Sequence, residues 1–112
     1  MGGDPHDGDA ITSEIRDQAA TEQFRVTQHA QEEMVAESIL LAEVLEAISS
    51  AHLLENYPEH RRGACCLILG YTGTGRPLHV VCTTEVPVLI VITVYEPKPP
   101  KWVTPTQRGV GS

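Results

Sequence analysis

The chain has 112 residues, a formal net charge of −7 and 41% hydrophobic residues, which suits one domain with a single modest core. No apolar run reaches the roughly 18 residues needed to span a bilayer, and Met1 to Asp9 has neither the basic nor the apolar stretch of a secretory leader. A soluble, cytoplasmic protein with no membrane partner is expected. Cys65, Cys66 and Cys82 are odd in number and lie in apolar runs, where a thiol acts as a small hydrophobe, and a reducing compartment suits them.

In chain order, residues 1–23 form an acidic, largely disordered tail. Met1 to Asp9 is rich in Gly and Asp with nothing to bury, and Ala10 to Gln23 supports no more than a frayed helix. Phe24-Arg25-Val26 alternates as a short strand, and Thr27 is placed to cap a helix opening at Gln28. Ala30 and Met34 share one face of that helix, and Leu41, Val44, Leu45 and Ile48 continue the stripe in a second segment after a bend at Glu37-Ser38, with a single fused helix as the alternative because neither Gly nor Pro stands there. Leu53 to Tyr57 reads as a strand stopped by Pro58, and Glu59 to Gly63 as a polar hairpin carrying Arg61-Arg62.

Cys65 to Tyr71 is apolar on both faces, the mark of an interior strand. Thr72 to Gly75 forms the next turn. Leu78 to Thr84 then alternates, with Leu78, Val80 and Cys82 on one face and His79, Val81 and Thr83 on the other. Val88 to Tyr95 is a second interior strand, ended by Pro97, Pro99 and Pro100, and residues 103–112 form a flexible C-terminal tail that Trp102 pins at its start. Strands joined by tight turns pair antiparallel, so the fold expected is α+β: two N-terminal helices on one face of a four- or five-stranded antiparallel sheet, in a domain spanning residues 24–102. The uncovered face should then expose Val81, Leu89 and Val91, and such a patch recruits a partner, so a homodimer or other complex is expected.

Charge is unevenly spread. Residues 1–23 hold six acids against Arg16, and residues 24–56 hold six glutamates against Arg25, −5 in each case. Residues 57–112 hold six bases against three acids, or +3. An acidic helical layer thus faces a mildly basic sheet layer, which permits an anionic ligand at the sheet without demanding one.

Several separated motifs occur in a recognisable order. Val26-Thr27-Gln28-His29-Ala30, Met34, Ile39, Glu43-Val44, Glu55-Asn56-Tyr57-Pro58, Leu69-Gly70, Gly75-Arg76-Pro77-Leu78-His79-Val80-Val81, and Ile92-Thr93-Val94-Tyr95-Glu96-Pro97 with Trp102 together resemble the bacterial family of domains of unknown function numbered 4258. That family is similar to the RelE/ParE-like toxin superfamily. The resemblance implies a RelE-like fold, an RNA-cleaving toxin or a degenerate relative of one, an antitoxin protein as partner, and RNA or the ribosome as target. This chain departs from the family pattern at Glu33 and Glu37, where the pattern has Arg, at Ser38, where it has Gly, and at Leu40, where it has a Ser or Thr cap. Exchanging two cations for two anions repels a phosphate backbone.

Metal-independent RNA cleavage through the 2′-hydroxyl needs a general base, a general acid and a cation for the developing phosphorane charge. His29, Arg76, His79 and Tyr95 are the catalytic candidates, with Tyr57 also of the right type; no cofactor is implied. In purely structural roles, His29 would bond Glu33 one turn on and His79 would be a satisfied strand histidine. The chain has neither C-x-x-C nor H-E-x-x-H, so no metal site is expected, and Thr72 to Gly75 lacks the Gly-Lys-Ser/Thr ending of a phosphate loop. The alternative function is a non-catalytic interaction module that uses the second sheet face and its edge.

Overall fold

The computed structural model describes residues 8–61, 63–84 and 87–109. The expected disorder of residues 1–7, Arg62 of the hairpin pair and the last residues of the tail, 110–112, lie outside them. Three helices, α1 (Gly8–Ala20), α2 (Gln28–Ala36) and α3 (Leu41–Ser49), cover one face of a sheet formed by β1 (Phe24–Val26), β2 (His52–Tyr57), β3 (Cys65–Tyr71), β4 (Pro77–Thr83) and β5 (Leu89–Tyr95). A two-stranded hairpin, β6 (Trp102–Thr104) with β7 (Gln107–Arg108), follows.

The strand order is β1-β5-β4-β3-β2, so β3 and β5 are interior as their apolar sequences require. The architecture is α+β, but the sheet is mixed. β2 through β5 form an antiparallel meander, whereas β1 pairs parallel with β5, Phe24 opposite Leu89 and Val26 opposite Val91. The expectation of an all-antiparallel sheet rests on tight turns, and these dictate only the meander. β1 joins from across two helices, a connection long enough to bring it in parallel.

The helical layer also holds three helices where two were expected. Ile11, Ile15 and Ala19 recur at helical spacing in α1 and are 8%, 2% and 9% exposed, packed with the core against α3 and β2. A segment with so few apolar residues forms a helix because both of its isoleucines and Ala19 fall on the docking face. Arg16 fastens it by donating from Nη2 to the Ala51 carbonyl at 2.5 Å.

Thr27 caps α2 as its position implies, its Oγ1 accepting from Ala30 N at 3.1 Å. The bend at Glu37-Ser38 separates α2 from α3, and Ser38 takes φ +55°, the left-handed region where glycine is preferred. Leu40 has no side-chain oxygen to cap α3, and Glu43 supplies half a capping box by accepting the Leu40 N–H at 2.9 Å.

Val44 and Ile48 are buried against the sheet with Met34 and Leu45 partly so, but Leu41 is exposed, so the docking stripe begins one turn later than its spacing suggests. Close approach of α3 to the sheet is set by Gly70: a Cβ there would overlap the Ala47 carbonyl. Leu89 and Val91 are buried on the helix face, 0% and 1% exposed, not on the open face, and Val81 is half-buried. The cause is a bulge. Val81 pairs with Thr93 but Cys82 with Val91, leaving Ile92 as an extra residue that switches which residues of β5 face the helices. The three cysteines are free and buried.

Candidate functional site

On the face away from the helices, β4 and β5 place His79 directly opposite Tyr95. The Tyr95 hydroxyl lies 3.1 Å from His79 Nδ1, and His79 Nε2 lies 2.6 Å from the Pro105 carbonyl. A carbonyl only accepts, so Nε2 carries the proton and Nδ1 of the neutral ring accepts from Tyr95. Trp102 packs edge-on to the imidazole with ring centroids 4.3 Å apart, leaving His79 0% and Trp102 2% exposed.

Residues 97–109 therefore form a strap over the sheet, centred on His79. Its far end is tied by Arg108, which donates from Nε and Nη2 to Glu55 at 3.0 and 2.7 Å while its guanidinium lies 4.7 Å from the Trp102 ring centre. That forked ion pair is partly exposed and contributes at most about 1 kcal/mol. Burial of Trp102 holds the strap more firmly, contributing several kcal/mol in proportion to the area it removes from water.

Electrostatics follow the geometry. Burial holds the His79 pKa below its ordinary 6.5, opposed by the Pro105 carbonyl and the Glu55 carboxylate and assisted by Arg108 and Lys101. Burial likewise raises the Tyr95 phenol. Hydrogen bonding from Arg108 holds the Glu55 carboxyl below its usual range. Burial and the hydrogen bond to Glu55 push Tyr57 up to about 12. His79 thus sits neutral and buried, with both nitrogens occupied.

Arg76 is equally engaged. Its Nε donates to Glu96 at 2.6 Å, Nη2 to the Glu37 carbonyl at 2.8 Å and Nη1 to the Ser38 carbonyl at 3.2 Å, with Glu43 at 3.9 Å. A cation on the carbonyls of the C-cap Glu37 and of Ser38, just past the end of α2, meets the negative end of the helix and holds the Ser38 turn to the end of β5. The guanidinium acts as a clip between layers.

His29, in the first turn of α2, is 65% exposed and lies 3.4 Å from Glu33. It faces a groove of about 560 Å³ that Tyr95 also lines, between α2 on one side and Lys98, Lys101 and Trp102 of the strap on the other. The structure thus joins His79 to Tyr95 and brings His29 and Tyr95 to one groove. Arg76 stands behind the groove, linked through Glu96, and Tyr57 is on the strand bearing Glu55. Among the described residues no cluster of His, Cys, Asp and Glu is grouped to hold a metal ion, and no helix is long and apolar enough to cross a membrane.

Sequence reasoning missed Glu55, Arg108 and Pro105, because the strap that joins them reads as tail. It also missed the work of Glu33 and Glu37. Their Oε1 atoms accept the N–H groups of Val94 and Glu96, each at 3.0 Å, so the two carboxylates seal the edge of β5 beyond the end of β1. Their spacing was the available signal. Residues four apart on a helix rise about 6 Å and residues two apart on a strand about 6.6 Å, so one row matches the other.

No curated protein and no solved structure matches the chain. The sequence model of the family described as "Domain of unknown function (DUF4258)" matches residues 26–96, from β1 through Glu96. The matched segment includes His29, Arg76, His79 and Tyr95, and ends where the strap begins. Over more than half of its length, then, this chain is a member of the DUF4258 family.

Proposed function

We propose that this domain is a non-catalytic interaction module, and the observation that carries the reading is the engagement of His79, Tyr95 and Arg76 by the fold itself. His79 is sealed under Trp102 and Pro105, Tyr95 bonds His79, Arg76 is spread over two carbonyls and two carboxylates, and His29 lies beside Glu33. General acid–base catalysis needs groups within reach of a substrate proton, and phosphorane stabilisation needs a cation free to meet it. The acidic helical layer adds repulsion toward RNA, since residues 28–49 carry five glutamates and no Lys or Arg. A partner protein has apolar surface to meet: Val35, Leu40 and Leu41, between 44% and 82% exposed, lie within seven residues at the turn between α2 and α3. The free, buried cysteines fit a reducing cytoplasm.

The second reading is a RelE/ParE-like toxin acting on RNA or the ribosome and neutralised by an antitoxin. It is favoured by the groove that gathers His29, Tyr95, Lys98 and Lys101. Expression in bacteria, with and without the genomic neighbour, separates the two. The module leaves growth unchanged in both cases, whereas growth arrest relieved by the neighbour supports the toxin.

A further inference from the structure

The strap is joined to the sheet by Glu96-Pro97-Lys98-Pro99-Pro100-Lys101, three prolines in six residues. Proline fixes φ, and runs of this kind favour a stiff, extended chain. The closed strap instead requires the segment to turn back, so that the Trp102 N–H reaches the Lys98 carbonyl at 3.0 Å. The hinge and the closed position therefore pull in opposite directions.

What the strap gains on closing comes mainly from two sources. Some bonds are internal: the β6–β7 pairing and the Gly109 N–H to the Lys101 carbonyl at 2.8 Å. The others run to the sheet: Trp102 and the Pro105 carbonyl on His79, Lys101 over Tyr95, and Arg108 on Glu55. Neither set requires that strap and sheet belong to the same chain.

We propose that two copies of this chain exchange straps, the extended proline hinge carrying residues 101–109 of each onto the His79 face of the other. Exchange regenerates each strap–sheet contact and gives up the hinge turn, which is why a second copy is the occupant that fits. The seat is specific: a ring edge-on to an imidazole, a carbonyl at Nε2 and an arginine six residues after the tryptophan on Glu55. A strap on its own chain has the advantage of proximity, so exchange grows with protein concentration.

Charge reversal at the rim tests it in the full-length chain. Glu55→Arg sets a second guanidinium against Arg108, and Arg108→Glu sets a second carboxylate against Glu55, so each variant alone has a repelling strap. Mixed in equal amounts, the two variants can exchange straps so that neither seat of the heterodimer pairs like charges: a strap ending in a carboxylate meets the sheet bearing the new arginine, and a strap ending in Arg108 meets the sheet bearing Glu55. The expected result is a doubling of mass by light scattering on mixing, with the emission of Trp102, the single tryptophan, returning to its buried wild-type position. Wild-type protein should show a dimer fraction that rises with concentration and falls in the Pro99→Ala, Pro100→Ala double variant. A mixture that keeps the mass of one chain overturns the proposal. So does a wild-type mass of one chain at every concentration, a measurement that depends on no variant.

Discussion

Glu33 of α2 accepts the backbone N–H of Val94 in β5 at 3.0 Å, continuing with a side chain the ladder that β1 leaves at Val91. Glu37 repeats the contact one helical turn on, at Glu96. The two glutamates thus protect the edge of β5: they occupy donors that would otherwise invite another strand.

Glu33→Ala leaves a part-buried N–H without an acceptor and should lower stability by about 1–2 kcal/mol, while Glu33→Gln keeps an acceptor and should cost less than half of that. Urea denaturation of the two variants beside wild type measures the difference. Equal losses would mean that the carboxylate charge, not the hydrogen bond, matters.

Arg76→Ala should destabilise by roughly 2–3 kcal/mol, because Glu96 and the carbonyls of Glu37 and Ser38 lose one shared donor. Amide hydrogen exchange should rise first at Ser38 and Ile39, where the clip holds the turn. An unchanged denaturation midpoint would leave Arg76 free for a ligand and speak against the clip.

Ser38→Gly should stabilise by about 0.5–1 kcal/mol, since Ser38 sits at φ +55° and glycine adopts that conformation without the Cβ cost. Thermal denaturation gives the sign directly. A lower melting temperature would show that side-chain contacts at Ser38 outweigh the backbone strain.

The Thr27 cap, the Glu37-Ser38 bend and the interior strands β3 and β5 were legible in the sequence, because each is encoded by neighbouring residues. The parallel pairing of β1 was not, because it depends on where a distant strand edge lies open. Nor was the bulge at Ile92, since a run of β-branched residues looks alike in either register. For the site, the facing of His79 and Tyr95 follows from two alternating strands, but the burial of His79 depends on Trp102 and Pro105, which reach it only through tertiary folding of a polar, proline-rich segment.

The pH dependence should have two separate parts. His79 has a folded pKa below 6.5, so the unfolded chain binds its proton first as pH falls. This contribution to stability is full above 6.5, falls as pH drops from there, and levels off below the folded value. Glu55, lowered from its usual 4.5, contributes above that value and is lost as pH falls through its folded pKa. Denaturation midpoints across both ranges, with His79→Gln to flatten the upper part, test this. An upper slope unchanged in that variant would mean that another histidine is responsible.

Whether the domain is catalytic is decided by single-turnover incubation of wild-type protein, in excess, with free and with ribosome-bound RNA. The sealed His79 and the engaged Arg76 predict no cleavage above a protein-free control. Cleavage by the wild type that falls about 10²-fold or more in His79→Ala and in Arg76→Ala, with both variants folded, would contradict the assignment as a non-catalytic module.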